Sequence, residues 1–202
     1  MRAWIYDTIF HPLSKKWYRN ILSSLPEGSR VLDVGVGTGS SLISNSDLII
    51  KRKMNVMGID IDPQYLKACR KRIEEENLSQ YINVREQSVY TLDQNEKYDA
   101  VYFSASFMLL PDQKKALEVI KSCLDAGGLV CFTQTFEAKK TRFWEFVKPL
   151  LVRFTTIHFG EVTYEKPFLS LLEDSGFEIV KNDLLMKKGS NRHMKAIMAK
   201  VA

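Results

Sequence analysis

The stretch VLDVGVGTGSS, residues 31 to 41, decides the fold. An apolar run that carries one acid, Asp33, leads directly into three glycines at alternate positions, Gly35, Gly37 and Gly39. Such a run favours a strand, and glycines permit the sharp turn between a strand and a helix. In an open α/β sheet, the first turn of this kind lies where ligands bind. The stretch therefore predicts either a ligand-binding turn or a simple reversal of the chain.

The rest of the chain alternates between strand-like and helix-like patterns. Apolar runs at residues 55–61, 82–88, 98–104 and 128–136 predict four more strands, and residues 177–187 and 193–201 predict a final pair. A helix with Asp62 as N-cap and Pro63 at its first position follows the second strand. Strands and helices in this order predict a single α/β domain over residues 1–202. We expect a Rossmann-like, doubly wound, mostly parallel sheet that ends in an antiparallel hairpin.

Composition sets broad limits. The net charge of +5 is mild, and its basic clusters are interleaved with acids, so there is no clear nucleic-acid signature. Three widely spaced cysteines in apolar contexts predict neither a disulfide framework nor a metal site. No apolar run approaches the ~18 residues that a spanning helix requires. The N-terminal stretch also lacks the features of a signal peptide, so a cytoplasmic protein is predicted.

The spacing of the glycines discriminates between cofactors. A dinucleotide fingerprint, G-x-G-x-x-G, needs a third glycine at position 40, which is Ser40 here. With Asp33 before it, VLDVGVGTG instead resembles the first motif of the class I S-adenosylmethionine-dependent methyltransferases. The resemblance implies that Asp33 lies near the cationic amino-acid part of the cofactor and that the three glycines make room for it. A carboxylate suits an ammonium partner.

The second strand ends in GIDID, which extends the resemblance. Family members usually carry an acid there that binds both ribose hydroxyls, and Asp60 matches it. Ile61 would flank the adenine, whereas Asp62 is better explained as a helix cap. The interval from Asp33 to Asp60 is longer than in compact relatives, which predicts an extended helix between them.

The third and fourth strands match the family less closely. Relatives often have an acid after the third strand for the adenine amino group. The aligned residue is Ser88, with Gln87 as a competitor and with the backbone of Val89 facing the ring. After the fourth strand, the segment from Ser104 to Phe107 is expected to lie beside the cofactor and the substrate. The resemblance runs closely from Val31 to about Phe136 and leaves the substrate open.

The N-terminal region, residues 1–26, is expected to form a helical lid. AWIYDTIFHPLSKKWY is similar to the region of quinone-biosynthesis and phosphatidylethanolamine methyltransferases in which an aromatic and acidic pair closes over the cofactor. Tyr6 and Asp7 match that pair, and Tyr6 is the expected cofactor contact. Aromatic residues further along, among them Tyr18, add surface to this segment. The alternative is an amphipathic helix that packs on the core through residues 5, 9 and 13.

Residues 137–165 stand where relatives build their acceptor pocket. Its aromatic residues could line an apolar cavity, and Arg142 or Arg153 could hold an anionic group. These residues could equally be core aromatics and surface charges; the aromatic ones are Phe143, Trp144 and Phe154. His11 and His158 are candidates for a catalytic base, whereas His193, in the terminal hairpin, looks less promising.

These features favour a methyltransferase that uses S-adenosylmethionine to modify a small molecule or a lipid headgroup. Two alternatives stay open: a methyltransferase-like binding or adaptor protein, and a methyltransferase of RNA or protein. A basic chain with an amphipathic aromatic N-terminus is also compatible with peripheral contact to an anionic membrane. The sequence does not indicate an oligomeric state.

Overall fold

The structure is a computed structural model that describes residues 3–137, 163–188 and 191–202. For residues 3–13 and for Lys188 it describes the backbone alone. The structure therefore describes only part of the expected lid, residues 1–26, and only part of the expected acceptor pocket, residues 137–165.

Helices and strands alternate along the chain as the sequence predicts. The helices are α1 (Ala3–Ser24), α2 (Ser40–Ile43), α3 (Ser46–Lys51), α4 (Pro63–Glu75), α5 (Gln113–Cys123) and α6 (Glu165–Asp174). The strands are β1 (Arg30–Val34), β2 (Asn55–Asp60), β3 (Ile82–Glu86), β4 (Tyr98–Ser104), β5 (Leu124–Glu137), β6 (Phe177–Lys188) and β7 (Arg192–Val201). Two short 3₁₀ turns, Val89–Thr91 and Phe107–Leu109, follow β3 and β4.

The seven strands form one sheet in the order β3-β2-β1-β4-β5-β7-β6. Strands β1 to β5 pair in parallel, and β7 pairs antiparallel with both β5 and β6. The predicted fold class is confirmed: a doubly wound, mostly parallel sheet that ends in an antiparallel hairpin. The strand order reverses between β1 and β4, so the carboxyl ends of these two strands border the crevice in which ligands bind.

Each face of the sheet carries its own apolar core. One core joins α1 to α4 to the sheet, and its most buried members include Ile21, Leu66 and Tyr102. The other joins α5 and α6 to the opposite face through a cluster of stacked and edge-to-face rings; these belong to Phe103, Phe107, Phe132, Phe136 and Phe168. Burial on both faces explains why the central strands are apolar almost throughout.

The interval between β1 and β2 corrects one expectation. It holds two short helices, α2 and α3, instead of one extended helix. Asn45 separates them with a backbone outside the helical region, and its buried amide donates hydrogen bonds to the carbonyl oxygens of Ser41 and Lys15. Asparagine favours such local bonds over helix continuation, so the helix is broken there and tied to α1.

Three further observations concern the described residues. Cys69, Cys123 and Cys131 are free and buried. None of the helices in the described ranges is long and apolar enough to cross a membrane. Helix α5 ends at Cys123, and Leu124, the next residue, already has an extended backbone.

Candidate functional site

The glycine turn after β1 has a left-handed backbone at all three glycines, with φ of 79°, 58° and 68° at Gly35, Gly37 and Gly39. A Cβ on Gly35 would lie 2.6 Å from the Cβ of Ser106, and one on Gly39 would collide with the sulfur of Cys69. At Gly37, by contrast, no heavy atom of the described residues lies within 4 Å of the Cβ position. Two glycines therefore serve packing, and Gly37 leaves the backbone open to a ligand.

Asp33 lies at the end of β1, with only 1% of its surface exposed. The Tyr18 hydroxyl donates a hydrogen bond of 2.8 Å to its Oδ2. Its Oδ1 has no hydrogen-bond partner among the described residues. Burial raises the pKa of Asp33 to about 7, the Tyr18 hydrogen bond opposes that rise, and the charge of Asp60 adds to it. A buried carboxylate with an unpaired oxygen is costly, and a bound ammonium group would satisfy it.

Asp60, at the end of the neighbouring strand β2, holds the glycine turn in place. Its Oδ2 accepts a hydrogen bond of 2.8 Å from the Gly37 N–H, and its Oδ1 accepts one of 3.0 Å from the Asp62 N–H. Each carboxylate oxygen has a second lone pair, so both can still accept from ligand hydroxyls. Asp62 itself caps α4 by accepting from the N–H groups of Gln64 and Tyr65, as predicted.

Ile61 lies between these two acids, with 74% of its surface exposed. A large apolar side chain at this edge of the sheet offers one wall for a flat, apolar ring. The sequence analysis predicts that the adenine ring of the cofactor lies against Ile61.

The turn after β3 contains the other predicted adenine contacts. Ser88 is half-buried and caps the following 3₁₀ turn through a hydrogen bond from the Tyr90 N–H. Val89 is buried. The competitor Gln87 uses its side chain within the turn, since its amide bonds Arg85 and the Thr91 carbonyl. The structure therefore favours Ser88 over Gln87 as the residue with a side chain available to a ligand.

The turn after β4 lies against the glycine turn. The hydroxyl of Ser106 donates a hydrogen bond to the Val34 carbonyl oxygen. Ala105 has a left-handed backbone, with φ of 54°, and its N–H donates to the Thr133 carbonyl oxygen. A non-glycine residue in this conformation stores strain of the kind that clusters at functional sites. Ser104, half-buried, interacts with the hydroxyls of Tyr18 and Tyr102.

Tyr18 is a site residue that the sequence analysis missed, because it was counted only as aromatic surface. Its ring is buried edge-on against Tyr102, with centroids 4.9 Å apart, and its hydroxyl reaches Asp33. Tyr18 shares the inward face of α1 with Ile21 and Leu22, three and four residues further along the helix. That spacing was a usable signal, because a tyrosine hydroxyl on a buried helix face needs a polar partner.

Several predicted site residues fall beyond the side chains that the structure describes. Tyr6 and His11 belong to the part of α1 for which only the backbone is described. His158 and the aromatic and basic residues of the predicted acceptor pocket lie outside the described ranges. Their roles stay predictions.

The described residues fit a nucleoside that carries an amino acid. Asp33 suits an ammonium group, Asp60 suits a pair of hydroxyls, and Ile61 suits a flat ring. Gly37, whose N–H is held by Asp60, lets the ligand approach the backbone. S-adenosylmethionine combines these three groups in one molecule.

Comparison with known proteins agrees with this geometry. Residues 31–128 match the family model described as "Methyltransferase domain". A phosphatidylethanolamine N-methyltransferase from Cereibacter sphaeroides is 28% identical over 138 residues, which are 67% of this chain and 66% of that protein. A ubiquinone/menaquinone biosynthesis C-methyltransferase from Wigglesworthia glossinidia brevipalpis is 28% identical over 137 residues, 66% of this chain and 50% of that protein. The chain thus spans about two thirds and one half of these relatives.

A solved structure extends the likeness over the whole fold. The S-adenosylmethionine-dependent methyltransferase from Thiobacillus denitrificans, in complex with S-adenosyl-L-homocysteine, superposes with a TM-score of 0.72. The match covers 100% of this chain and 99% of that one at 13% identity. Family model, relatives and fold agree: residues 31–128 are similar to the methyltransferase domain, and the fold is that of the class I S-adenosylmethionine-dependent methyltransferases.

Proposed function

We propose that this chain binds S-adenosylmethionine and transfers its methyl group to a small molecule or a lipid headgroup. One observation carries the proposal. Asp33 and Asp60 lie at the ends of neighbouring parallel strands, Asp60 holds the N–H of Gly37, whose backbone is open, and one oxygen of the buried Asp33 has no hydrogen-bond partner among the described residues. The curated relatives named above, a phosphatidylethanolamine N-methyltransferase and a C-methyltransferase of ubiquinone/menaquinone biosynthesis, support the acceptor class.

In this proposal, the residues of the chain bind S-adenosylmethionine and orient it. Asp33 holds the ammonium end, and Asp60 holds the ribose while it keeps the Gly37 N–H in place. Ile61, Ser88 and the backbone of Val89 surround the adenine. The bound cofactor supplies a methyl group activated by the positive charge of its sulfonium, so alignment and exclusion of water are the main tasks of the protein.

The turn after β4 forms the side of the site from which the methyl acceptor approaches. Ser104 lies near the Tyr18 hydroxyl, and Ala105 is held in its strained conformation by the Thr133 carbonyl. We assign this turn to the boundary between cofactor and acceptor. Residues 137–165 and the lid role of residues 1–26, with Tyr6 as its cofactor contact, remain parts of the proposal that rest on the sequence.

The other candidate functions are separated by what is bound and what is released. A binding or adaptor protein would take up the cofactor without turnover, and an RNA or protein methyltransferase would label a macromolecule.

His11 and His158 stay candidates for a base. A cytoplasmic location and contact with an anionic membrane also stay predictions, and sedimentation with anionic vesicles at low salt tests the latter.

The proposal is tested by calorimetry followed by a transfer assay. We expect saturable 1:1 binding of S-adenosylmethionine, and release of S-adenosylhomocysteine once an acceptor is added. Methyl-labelled cofactor incubated with separate small-molecule, lipid, RNA and protein fractions shows which class is labelled. Absence of saturable binding contradicts the proposal, and binding without any transfer favours the binding-protein alternative.

A further inference from the structure

Strand β6 forms one edge of the sheet. It is 12 residues long, about twice the usual length of a strand, and β7 pairs with its inner side. Among the residues that the structure describes, no strand pairs with its outer side. Such an edge presents a row of unpaired backbone N–H and C=O groups that can pair with a strand of another chain. The outer side of β6 is therefore a candidate interaction surface.

Two large apolar side chains are exposed on this edge. Val180 and Leu184 have 48% and 49% of their surface exposed. Leu184 lies opposite Lys195, whose ammonium group bonds Glu165 of α6, and the amide of Asn182 also bonds Glu165. Because side chains alternate between the faces of a strand, Val180, Asn182 and Leu184 share the face on which α6 packs. The edge thus carries exposed apolar surface on either side of Asn182.

The charged residues of the same stretch lie on the opposite face. Lys181 lies opposite Met198 of β7, and its ammonium group is 3.3 Å from the hydroxyl of Ser24 in α1. Asp183 follows two residues later, and its carboxylate forms an ion pair of 3.2 Å with Lys181. Both charged side chains are partly exposed, so each is accessible to a second ionic partner beyond the edge.

Two irregularities bound this stretch of β6. The register against β7 shifts between Ile179 and Lys181, and again between Leu184 and Met186. A bulge bends its strand and increases the local twist, so a partner strand cannot follow the outer edge regularly past either point. The part of the edge that is available for regular pairing is therefore residues 180–184.

We propose that β6 pairs with β6 of a second copy of this chain, antiparallel about a two-fold axis at Asn182. In this register Val180 lies opposite the partner's Leu184, and Lys181 lies opposite the partner's Asp183. Each pair occurs twice, because a two-fold interface is isologous. Apolar side chains then meet on one face of the joined sheet and opposite charges on the other, and both kinds of cross-strand pair stabilise a sheet.

The charges also select this register over its neighbours. Paired residues share a face of the sheet, so the axis passes through a residue and moves by whole residues. An axis at Lys181 places the two copies of this lysine opposite each other, and an axis at Asp183 does the same with two carboxylates. Like charges directly opposite each other destabilise a sheet, whereas the axis at Asn182 matches every charge of the stretch with its opposite.

The inference goes beyond the proposed methyl transfer and does not depend on it. Strands β4, β5 and β7 separate β6 from β1, which leads into the glycine turn. Pairing through β6 therefore leaves the candidate cofactor site uncovered. The regular contact is short, so we expect weak association, with a dissociation constant of ~10–100 µM.

Sedimentation velocity on the purified full chain tests the oligomeric state. We expect a monomer at ~1 µM and a reversible shift to a dimer by ~300 µM, as mass action requires for this affinity. Hydrogen exchange at the same two concentrations locates the contact, and protection of the amides of residues 178–186 is expected to rise with concentration. A monomer at both concentrations overturns the proposal. Equal protection at both also overturns it, because another segment of the same chain then covers the edge.

Charge exchange tests the register. K181D and D183K each place like charges opposite each other twice in the dimer, so each is expected to raise the dissociation constant about tenfold or more. The double variant K181D/D183K restores opposite charges and is expected to return to within about threefold of the original value. This recovery separates a lost contact from a failure to fold. K53D and E27K make the same charge changes in the exposed Glu27–Lys53 pair, away from β6, and should leave association unchanged. Equal dissociation constants in all these variants, or no recovery in the double variant, overturns the proposal.

A lysine substitution tests the apolar contact. L184K places an ammonium group against the partner's Val180, and lysine on an edge strand opposes edge-to-edge pairing, so the dissociation constant is expected to rise about tenfold or more. The matched control is I50K in α3, because Ile50 is exposed to a similar extent, 42%. I50K should dimerise as the unmodified chain does. Equal association of L184K and I50K shows that the dimer uses another surface and overturns the proposal.

Discussion

At the scale of single residues, the glycines of the turn differ in what their missing side chains would meet. Gly37 has open space at its Cβ position, and so does Gly28, which has a similar left-handed backbone but precedes β1 at the other end of the strand. Alanine at either position should cost about 1–2 kcal/mol of backbone strain. We expect G37A and G28A to lose similar stability in urea denaturation, and only G37A to lose affinity for S-adenosylmethionine, by tenfold or more. Equal affinity in both variants would show that no ligand approaches Gly37.

Asp33 ionises near neutral pH, because burial raises its pKa. Its pKa of about 7 in the folded chain lies above the ordinary value of 3.8, so between these pH values the folded chain binds more protons than the unfolded chain. The stability that protonated Asp33 allows is therefore complete below about pH 4 and is lost as the pH rises to 7. At ~1.4 kcal/mol per pKa unit, the loss is at most about 4 kcal/mol.

Asp33→Asn should remove this dependence of folding stability on pH, because the asparagine amide does not ionise. Urea denaturation at pH 4.5 and pH 8 should show D33N more stable than the unmodified chain at pH 8, with little difference at pH 4.5. The same variant should lose affinity for S-adenosylmethionine, since a neutral amide attracts an ammonium group weakly. Parallel pH profiles of stability for the two proteins would contradict the assignment of a buried, ionising Asp33.

At the scale of elements, helix α1 is joined to the site through Tyr18. Tyr18→Phe keeps the ring against Tyr102 but leaves both oxygens of Asp33 without a donor, which should cost about 1–3 kcal/mol. Affinity for S-adenosylmethionine at pH 7 should also fall, because the lost hydrogen bond lowered the pKa of Asp33. The control is Y98F, whose hydroxyl donates to the half-exposed Glu96. Equal effects of the two variants on affinity would remove α1 from the cofactor site.

The elements themselves were largely predictable, because each one carries local signals. The Asp62 cap with Pro63 begins α4 as predicted, and the apolar runs mark every strand. The break at Asn45 was not predicted, since it depends on a hydrogen bond to Lys15, thirty residues earlier. Local patterns carry no information about such distant partners.

At the scale of the whole molecule, the sheet order brings together residues that are far apart in the sequence. The placement of Asp33 and Asp60 at one edge of the sheet could be predicted, because each lies at the end of a strand and parallel strands end at the same edge. The pairing of Glu165 with His193 could not be predicted, because it depends on how α6 packs on the hairpin. His193 looked unpromising from its place in the terminal hairpin, and the structure pairs it with a carboxylate.

The central claim is that Asp60 holds S-adenosylmethionine across the glycine turn, and calorimetry on D60A and D62A tests it most directly. D62A loses only the α4 cap, at a cost of about 1 kcal/mol in stability, and should bind S-adenosylmethionine as the unmodified chain does. D60A should remain folded by circular dichroism and lose affinity at least thirtyfold, since it lacks the acceptor for the ligand hydroxyls and for the Gly37 N–H. Equal affinities of D60A and D62A, or no saturable binding by the unmodified chain, would contradict the claim.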